Sequence, residues 1–237
     1  MSKRAIILAG GKGTRLRPYT VVLPKPLMPI GEFPILEVII RQLAQHGFER
    51  VTLAVNHQAE IIKAFFQEGE KWGVKIDYSL EDKPLSTMGP LQLIKDLPEN
   101  FLIMNGDILT DLSFSDFYLE HVNNQNIFTV AAHHREQKID YGVLEVNDDH
   151  YLSEFKEKPK SRHLVSMGIY MANQKIMDFI PKGEAYGFDN LMLDLMQAEK
   201  PAFVRNFDGY WLDIGRPDDY IQAIEEFDKM KFKFLNE

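Results

Sequence analysis

The sequence predicts an α/β fold, in which helices flank a mostly parallel sheet. Residues 5–9 form a continuous apolar run that ends at glycines, as expected of a strand buried on both faces. Residues 34–46 carry apolar side chains three and four positions apart, which predicts a helix with one buried face, and Gly47 ends it. Strand-like and helix-like segments then alternate, which is typical of a doubly wound sheet.

The pattern of segments changes in the second half of the chain. Up to residue 112 it predicts strands at 51–55, 75–78 and 101–104 and helices at 58–68 and 91–97. The first of these helices would bury Ile61, Ile62, Phe65 and Phe66. After residue 112 the segments predict a mixed sheet, with strands at 127–133, 142–147, 151–157, 165–171 and 202–206 and helices at 174–180, 188–198 and 218–231.

Composition limits the class of protein and its environment. The chain has 237 residues, 45% of them hydrophobic, which is enough for one large domain. It has no cysteine, which rules out disulfides, thiolate metal sites and a cysteine nucleophile, and we expect a cytoplasmic location. The net charge of −8 argues against general binding to nucleic acid. No run approaches the roughly 20 apolar residues of a membrane span, so we expect no membrane insertion.

A glycine-rich turn follows the first predicted strand. Because its glycines have no side chains, its backbone N–H groups can close on phosphate oxygens. It is not a Walker A loop, since Gly13 follows Lys12 where that loop has Ser or Thr, and it lacks the third glycine of the dinucleotide-binding motif. Nearby Arg and Lys side chains suit a triphosphate. The predicted nucleotide-binding residues of this part of the chain are Leu8, Ala9, Gly10, Gly11, Gly13, Thr14, Arg15 and Lys25.

Residues 10–16, together with Pro18, Pro26 and Pro29, resemble the signature of the sugar-phosphate nucleotidylyltransferase family, and especially of its mannose-1-phosphate guanylyltransferase branch. The resemblance implies a single Rossmann-like catalytic domain over residues 1–237, of the nucleotide-diphospho-sugar transferase type. Residues 1–112 would bind the nucleotide and residues 113–237 the sugar phosphate. The implied reaction transfers a nucleotidyl group from a nucleoside triphosphate to a sugar 1-phosphate and releases pyrophosphate.

The resemblance also assigns roles to charged residues. Arg15 is expected to contact the β and γ phosphates, and Lys25 the reacting phosphates. Asp107, at the end of a predicted strand, matches the family's metal-binding pair together with Asp213, and Mg²⁺ is the implied ion. Carboxylate oxygens are ligands that Mg²⁺ prefers. A reaction between two phosphates depends mainly on positioning and charge neutralisation, so no protein nucleophile is needed.

Further motifs resemble the family's sugar-binding segments. The resemblance implies that Glu157 binds sugar hydroxyls, that Lys158 binds the sugar phosphate as part of the catalytic set, and that the backbone of Gly142 faces the sugar. Ser166 stands where many members have Asn, so we expect an altered sugar contact. Asp189 likewise stands where Glu is commoner. Mannose, a manno-heptose and an amino sugar, each as its 1-phosphate, all remain open as acceptors.

Residues 81–91 resemble the base-binding segment of guanylyltransferases, although Ser86 and Met88 depart from that pattern. The carboxylate of Glu81 would accept hydrogen bonds from guanine N1–H and from its amino group, whereas uracil or thymine would more naturally meet an amide. We therefore favour GTP and leave UTP, dTTP and CTP open. The remaining predicted nucleotide-binding residues are Pro84, Thr87, Gly89, Asn105, Gly106 and Asp107.

Two other classes of function compete with this interpretation. A nicotinamide-dependent oxidoreductase would need an acidic residue after its second strand, where this chain has Asn56. A non-catalytic regulatory subunit would be expected to have lost the charged residues named above, and this chain keeps them. Adjacent His133 and His134 would point to opposite faces of a strand, which disfavours a metal site. By resemblance, a homo-oligomer is one expected state.

Overall fold

A computed structural model describes residues 2–56 and 58–235, and its centre is a seven-stranded mixed sheet. The strands are β1 (Lys3–Leu8), β2 (Pro29–Ile30), β3 (Phe33–Pro34), β4 (Phe48–Val55), β5 (Lys75–Leu80), β6 (Asn100–Asn105), β7 (Ile108–Thr110), β8 (Phe128–Lys138), β9 (Gly142–Val146), β10 (Leu152–Glu157), β11 (Lys160–Asn173), β12 (Phe203–Asn206) and β13 (Trp211–Asp213). The helices are α1 (Ile35–Gln45), α2 (Ala59–Phe66), α3 (Phe114–Asn123), α4 (Phe188–Gln197) and α5 (Pro217–Leu235).

The central sheet has the order β12-β8-β11-β6-β1-β4-β5. Strands β6, β1, β4 and β5 run parallel, so their carboxyl ends lie at one edge. Strand β11 is antiparallel to both β6 and β8, which makes the sheet mixed, as the sequence predicts for the second half. The pairs β9–β10, β7–β13 and β2–β3 form three small antiparallel sheets.

Each face of the central sheet carries its own hydrophobic core. Successive residues of a strand point to opposite faces, so Ile7 joins one core and Ile6 the other. The first core contains residues of α1, α2, α3 and α5, and the second contains Leu191 and Leu195 of α4. The predicted buried face of α1 is confirmed, since its apolar positions are fully buried: Ile35, Leu36, Ile39, Ile40 and Leu43.

Several predicted elements differ from the structure. The helix predicted at 91–97 is instead a short 3₁₀ helix, Gly89–Leu93, because Asp96 has a positive φ of 56° and Leu97 precedes a proline. The helix predicted at 174–180 is a 3₁₀ helix, Gln174–Asp178, and Ile180 likewise precedes a proline.

The buried side of α2 is narrower than predicted. Ile62 and Phe66 are fully buried, as expected, but Ile61 and Phe65 are about two-fifths exposed. The helix extends only from Ala59 to Phe66, so fewer turns contact the sheet than the predicted span of 58–68 would supply. The prediction that this segment is a helix is confirmed, and about one residue per turn of the helix is buried.

No helix within residues 2–56 and 58–235 is long and apolar enough to cross a membrane.

Candidate active site

The parallel strands deliver their following residues to one edge of the sheet, where ligands of α/β proteins bind. The glycine-rich turn follows β1, Asn56 follows β4 and Glu81 follows β5. Asn105 is the last residue of β6, which pairs with β1, and Gly106 and Asp107 follow it. Leu8 pairs with Ala54 and with Asn105, so these ends lie side by side.

A cleft of about 440 Å³ opens at this edge. It collects side chains and backbone that are far apart in the sequence. Its lining consists of Leu8, Ala9, Gly10, Gly11, Lys12, Arg15, Lys25, Pro26, Ala54, Asn56, Glu81, Pro84, Ser86, Thr87, Pro90, Asn105, Gly106, Asp107 and Asp213. Most of the predicted nucleotide-binding residues are therefore brought together in one place, and their individual roles stay predictions.

The glycine-rich turn leaves no space for side chains at two of its positions. A Cβ at Gly10 would lie 3.2 Å from Asn56 Cβ and 3.3 Å from Glu81 Oε1. Gly13 has a φ of +60°, in the left-handed region that favours glycine. The Gly13 carbonyl accepts a hydrogen bond from Thr20 Oγ1 at 2.7 Å. Close packing against Asn56 and Glu81 therefore favours glycine at position 10, and the backbone conformation favours it at position 13.

Three predicted nucleotide-binding residues, Gly13, Thr14 and Gly89, do not line the cleft. Gly13 and Thr14 lie at the start of the 3₁₀ helix Thr14–Leu16. The backbone N–H of Gly89 donates to the carbonyl of Tyr186 at 2.9 Å, and a Cβ there would lie 2.9 Å from Glu184 O. Turn geometry accounts for glycine at positions 13 and 89, and the predicted contacts of these three residues with the nucleotide stay predictions.

Lys25, Asp107 and Asp213 meet at the base of the cleft. Lys25 Nζ forms an ion pair with the Asp107 carboxylate, which is almost fully buried. Burial raises the pKa of Asp107, the Lys25 ammonium opposes that rise, and the neighbouring Asp213 carboxylate adds to it. The Asp213 carboxylate accepts a hydrogen bond from Gly215 N at 2.9 Å, which fixes its orientation.

The residues at the base of the cleft fit a magnesium ion. The Asp213 carboxylate is close enough to disfavour ionisation of Asp107, a repulsion that a divalent cation relieves. Residues 2–56 and 58–235 contain no cluster of three or more His, Asp or Glu side chains that could hold a metal alone. Mg²⁺ typically binds one or two carboxylates together with phosphate oxygens and water, so two carboxylates suffice.

Glu81 occupies the opposite part of the cleft. It is buried, and its Oε2 accepts a hydrogen bond from Leu85 N at 3.1 Å. Burial raises the pKa of Glu81, while that hydrogen bond lowers it in part. The second carboxylate oxygen, Oε1, lies beside Gly10. Glu81 can therefore present an acceptor to a ligand that enters the cleft.

A second cavity of about 230 Å³ adjoins the cleft and shares Asn105 and Asp213 with it. Its lining is Asn105, Ile108, Arg135, Val165, Ser166, Met167, Gly168, Trp211, Asp213 and Arg216. Ser166 Oγ donates to Tyr170 Oη and accepts from Gly168 N, each at 3.2 Å. Gly168, with a φ of +73°, lets the Asn105 amide approach the backbone. The predicted sugar residue Ser166 is thus beside the predicted metal pair.

The other predicted sugar-binding residues lie on an exposed hairpin. Gly142 and Glu157 pair with each other across β9 and β10, and Lys158 follows in an exposed turn. The hairpin extends from the ends of β8 and β11. Ile139 N, just after β8, donates a hydrogen bond to Pro159 O, just before β11, at 3.0 Å. None of these three residues lines the cleft or the second cavity. Asp189, in the first turn of α4, also lines neither of the two cavities.

The adjacent histidines have structural contacts. His133 Nδ1 is 2.8 Å from the Phe207 carbonyl oxygen, and its ring is 5.6 Å from the Trp211 ring. His134 Nδ1 is buried with no hydrogen-bond partner in the described part of the chain. The expectation that they form no shared metal site stays a prediction.

Sequence reasoning missed Arg135, Arg216 and Asp219. Arg135 donates two hydrogen bonds to the Asp219 carboxylate, one of 2.8 Å from Nη1. Asp219 also accepts from Asp213 N at 3.1 Å, so this pair supports the predicted metal ligand. A signal existed for Arg216 alone, since it stands three residues after Asp213 in the turn that opens α5. Nothing in the sequence links Arg135 with α5.

The parallel strands β6, β1, β4 and β5 end at an edge that carries a glycine-rich cationic loop and paired carboxylates, an arrangement typical of α/β proteins that act on phosphorylated ligands. A family model described as nucleotidyl transferase matches residues 4–229. This chain belongs to the nucleotidyl transferase family.

Individual relatives refine that assignment. A UTP–glucose-1-phosphate uridylyltransferase of Synechocystis sp. is 34% identical over 241 residues, which cover 93% of this chain and 62% of that protein. A mannose-1-phosphate guanylyltransferase catalytic subunit beta of Drosophila pseudoobscura pseudoobscura is 33% identical over 228 residues, covering 93% and 61%. The structure of HddC from Yersinia pseudotuberculosis complexed with GMP-PN has a TM-score of 0.73 at 25% identity, covering 95% of this chain and 99% of that one. The chain spans about three fifths of the length of the two sequence relatives.

Proposed function

We propose that this chain transfers a nucleotidyl group from a nucleoside triphosphate, preferably GTP, to a sugar 1-phosphate. The products are a nucleotide-sugar and pyrophosphate. The observation that carries this proposal is the meeting of Lys25, Asp107 and Asp213 where the nucleotide cleft joins the second cavity. Two phosphorylated substrates entering from the two cavities would meet at that point.

The proposed reaction is a single displacement at phosphorus. A phosphate oxygen of the sugar 1-phosphate attacks the α-phosphorus and forms the new P–O bond. The bond from the α-phosphorus to the oxygen that bridges to the β-phosphorus breaks, and pyrophosphate leaves with that oxygen and its electron pair. Both substrates are polyanions, so the reaction depends on charge neutralisation and on positioning.

The charged residues of the cleft divide this task. Arg15, exposed at the rim, would bind the departing phosphates, and its guanidinium can form two parallel hydrogen bonds to them. If Asp107 binds a metal ion, its ion pair with Lys25 would be broken, and Lys25 would then neutralise the reacting phosphates. When bound, Mg²⁺ supplies positive charge next to the phosphate oxygens. Asp107 and Asp213 would hold it, and the Gly215 N–H and Asp219 keep Asp213 in place.

The preference for GTP is supported by Glu81. Within the described part of the chain, the buried Glu81 carboxylate accepts one hydrogen bond, from Leu85 N, and it retains capacity for the two adjacent donors of guanine. Mannose-1-phosphate guanylyltransferases are among the relatives, and the HddC structure holds GMP-PN. The uridylyltransferase relative supports UTP instead. The experiment below is designed to distinguish the two bases.

The test is pyrophosphate release from a matrix of substrates. Purified protein with Mg²⁺ is combined with each of GTP, UTP, dTTP, CTP and ATP and with mannose, glucose, glucosamine and manno-heptose 1-phosphates. We expect release with GTP and one or more sugar phosphates. Release with another triphosphate only would refute the base assignment and keep the reaction. A protein that binds nucleotide but releases no pyrophosphate with any pair would be a regulatory subunit.

A further inference from the structure

The second cavity holds charges that the proposed function has not used. It is lined by two arginines, Arg135 and Arg216, and by the Asp213 carboxylate that it shares with the cleft. Any sugar 1-phosphate in this cavity brings a phosphate group, which must meet cationic or hydrogen-bonding groups. The two arginines differ in whether their charge is already balanced within the protein.

The charge of Arg135 is balanced by Asp219. The guanidinium forms an ion pair with both carboxylate oxygens of Asp219, whose side chain is 4% exposed. The two-point contact raises the pKa of Arg135, mainly through the hydrogen bonds to Asp219. The Arg135 guanidinium also lies 5.7 Å from the centre of the Trp211 ring. Arg135 is therefore held in place, and its charge neutralises a buried carboxylate.

Arg216 has no such partner. Among the residues that the structure describes, no carboxylate lies within ion-pair distance of the Arg216 side chain, which is exposed. Its backbone is fixed, because Arg216 N donates to Asp213 O at 2.9 Å and its carbonyl accepts from Tyr220 N at 2.9 Å. The chain thus places a free guanidinium three residues from the predicted metal ligand and at the wall of the second cavity.

The residue expected from the sequence resemblance to bind the sugar phosphate lies elsewhere. Lys158 is exposed on the turn after β10, and it lines neither cavity. In the cleft, Lys25 is paired with Asp107, and Arg15 and Lys12 line the nucleotide side. In the cavity that Ser166 and Asp213 line, Arg216 is the cation left for an incoming phosphate within residues 2–56 and 58–235.

We propose that Arg216 binds the phosphate group of the acceptor and holds it next to Asp213. This inference rests on the proposed function, since it assigns a specificity residue to the acceptor side of the same reaction. A guanidinium can donate two parallel hydrogen bonds to one phosphate, which orients the attacking oxygen as well as binding it. Arg216 would therefore select acceptors that carry a phosphate over the corresponding neutral sugars.

The test compares the kinetic constants of Arg216→Ala, Arg216→Lys and the wild-type enzyme. Loss of a charge-assisted contact predicts that the Michaelis constant for the sugar 1-phosphate rises about tenfold to a hundredfold in Arg216→Ala. The Michaelis constant for the nucleotide should stay within about twofold. Arg216→Lys should lie between, because lysine keeps the charge but lacks the planar fork.

Arg162→Ala is the matched control. Arg162 is exposed on β11 and lines neither cavity, so it removes an arginine without touching the site. We expect wild-type constants for this variant. An unchanged acceptor constant in Arg216→Ala, or an equal loss for nucleotide and acceptor, would overturn the assignment of Arg216 and leave the proposed reaction intact.

Direct binding separates this inference from the proposed function. Calorimetric titrations with mannose 1-phosphate, glucose 1-phosphate and methyl mannoside need no turnover. If the wild-type protein binds a sugar phosphate, ignores the neutral sugar and loses that binding in Arg216→Ala, the assignment holds even when no pyrophosphate is released. Equal binding by wild type and Arg216→Ala, or no binding of either sugar phosphate, would overturn it.

Discussion

Gly215 controls the space around the carboxylates at the base of the cleft. A Cβ at this position would overlap Lys25 Nζ and lie 2.8 Å from Asp107 Oδ2. Gly215→Ala should therefore displace the Lys25–Asp107 pair and lower kcat about a hundredfold, since small misplacements of reacting groups cost about that much. Steady-state kinetics check the rate, and a melting curve checks that the variant folds.

Gly11→Ala serves as the folding comparison for Gly215→Ala. A Cβ at Gly11 would meet no atom within 4 Å, so we expect its melting temperature to match the wild type. A Gly215→Ala protein that folds and retains the wild-type kcat would show that the ion pair is not needed in the arrangement seen here.

Glu81 should determine the choice of base. In Glu81→Gln, one of the two carboxylate acceptors is replaced by an amide donor, so the ratio of kcat/KM for GTP over UTP should fall at least tenfold. The pKa of Glu81 is raised by burial. As the pH falls, Glu81 therefore becomes protonated at a higher pH than an ordinary Glu does. The GTP preference should accordingly weaken as pH falls in the wild type and stay flat in Glu81→Gln. A Glu81→Gln enzyme with unchanged base selectivity at every pH would refute this role.

At the scale of single residues, short sequence motifs predict some residues of the candidate site and not others. The turn glycines, Lys25, Asp107 and Asp213 carry their signal in short motifs, and the structure brings them to one cleft or its base. Arg135 and Asp219 are far apart in sequence, and each alone resembles a surface charge. Their pairing depends on how α5 packs beside β8, which no local pattern encodes.

Helix α3 is tied to the sheet through a buried histidine. His121 is fully buried, and its Nδ1 is 2.8 Å from Thr129 Oγ1 of β8. Burial lowers the pKa of His121 to about 4. Because the unfolded chain binds a proton near pH 6.5 and the folded chain does not, stability is present above that pH and is lost as pH falls towards 4.

This linkage predicts a measurable loss of stability. The free energy of unfolding should drop by about 2 kcal/mol between pH 7 and pH 5 through His121 alone. His121→Asn should remove that part of the slope, as measured by urea unfolding at both pH values. His163→Asn, on an exposed part of β11, is the control and should keep the wild-type slope. Parallel slopes for His121→Asn and wild type would contradict a neutral buried His121.

At the scale of elements, long periodic segments were predictable and short ones were not. Helix α1 has several turns of apolar spacing, and its buried face was predicted correctly. Helix α3, with Ser113 as its N-cap, was not predicted, because its apolar residues Phe114 and Phe117 define less than two turns of a stripe. The strands β7 and β13 have three residues each, and only their pairing with one another identifies them as strands.

The whole molecule is held together by a sheet that crosses the boundary between its predicted halves. Strand β6 of the first half pairs along its length with β11 of the second half. Helix α5 returns to the first half, where Leu235 O accepts from Gln45 Nε2 at 2.8 Å and Tyr220 Oη donates to Pro29 O at 3.0 Å. The two halves therefore both contribute residues to each of the two hydrophobic cores.

A fragment of residues 1–112 should not fold alone. Without β11, the edge of β6 and its apolar residues would lose their partners, and the face of α1 that contacts α5 would be exposed. We expect the fragment to show no cooperative thermal transition by circular dichroism, and the full chain to show one. A fragment with its own sharp transition would mean that the halves are independent domains.

At this largest scale the sequence indicated the class of sheet and the location of the site. The alternation of segments predicts parallel strands, and ligands bind at the carboxyl ends of such strands. The order of strands was not predictable, because β11 enters between β6 and β8 through contacts between distant segments. The placement of Gly142, Glu157 and Lys158 on an exposed hairpin follows from that same long-range pairing.

The central claim is that this chain joins a nucleotide to a sugar 1-phosphate at Asp107 and Asp213. The most direct measurement is mass spectrometry of the products formed from GTP, Mg²⁺ and the panel of sugar 1-phosphates, by the wild type, Asp107→Asn and Asp213→Asn. We predict a GDP-sugar and pyrophosphate in equal amounts from the wild type, with formation at least a hundredfold slower in each variant. Formation of GDP and free phosphate, or undiminished product from both variants, would contradict it.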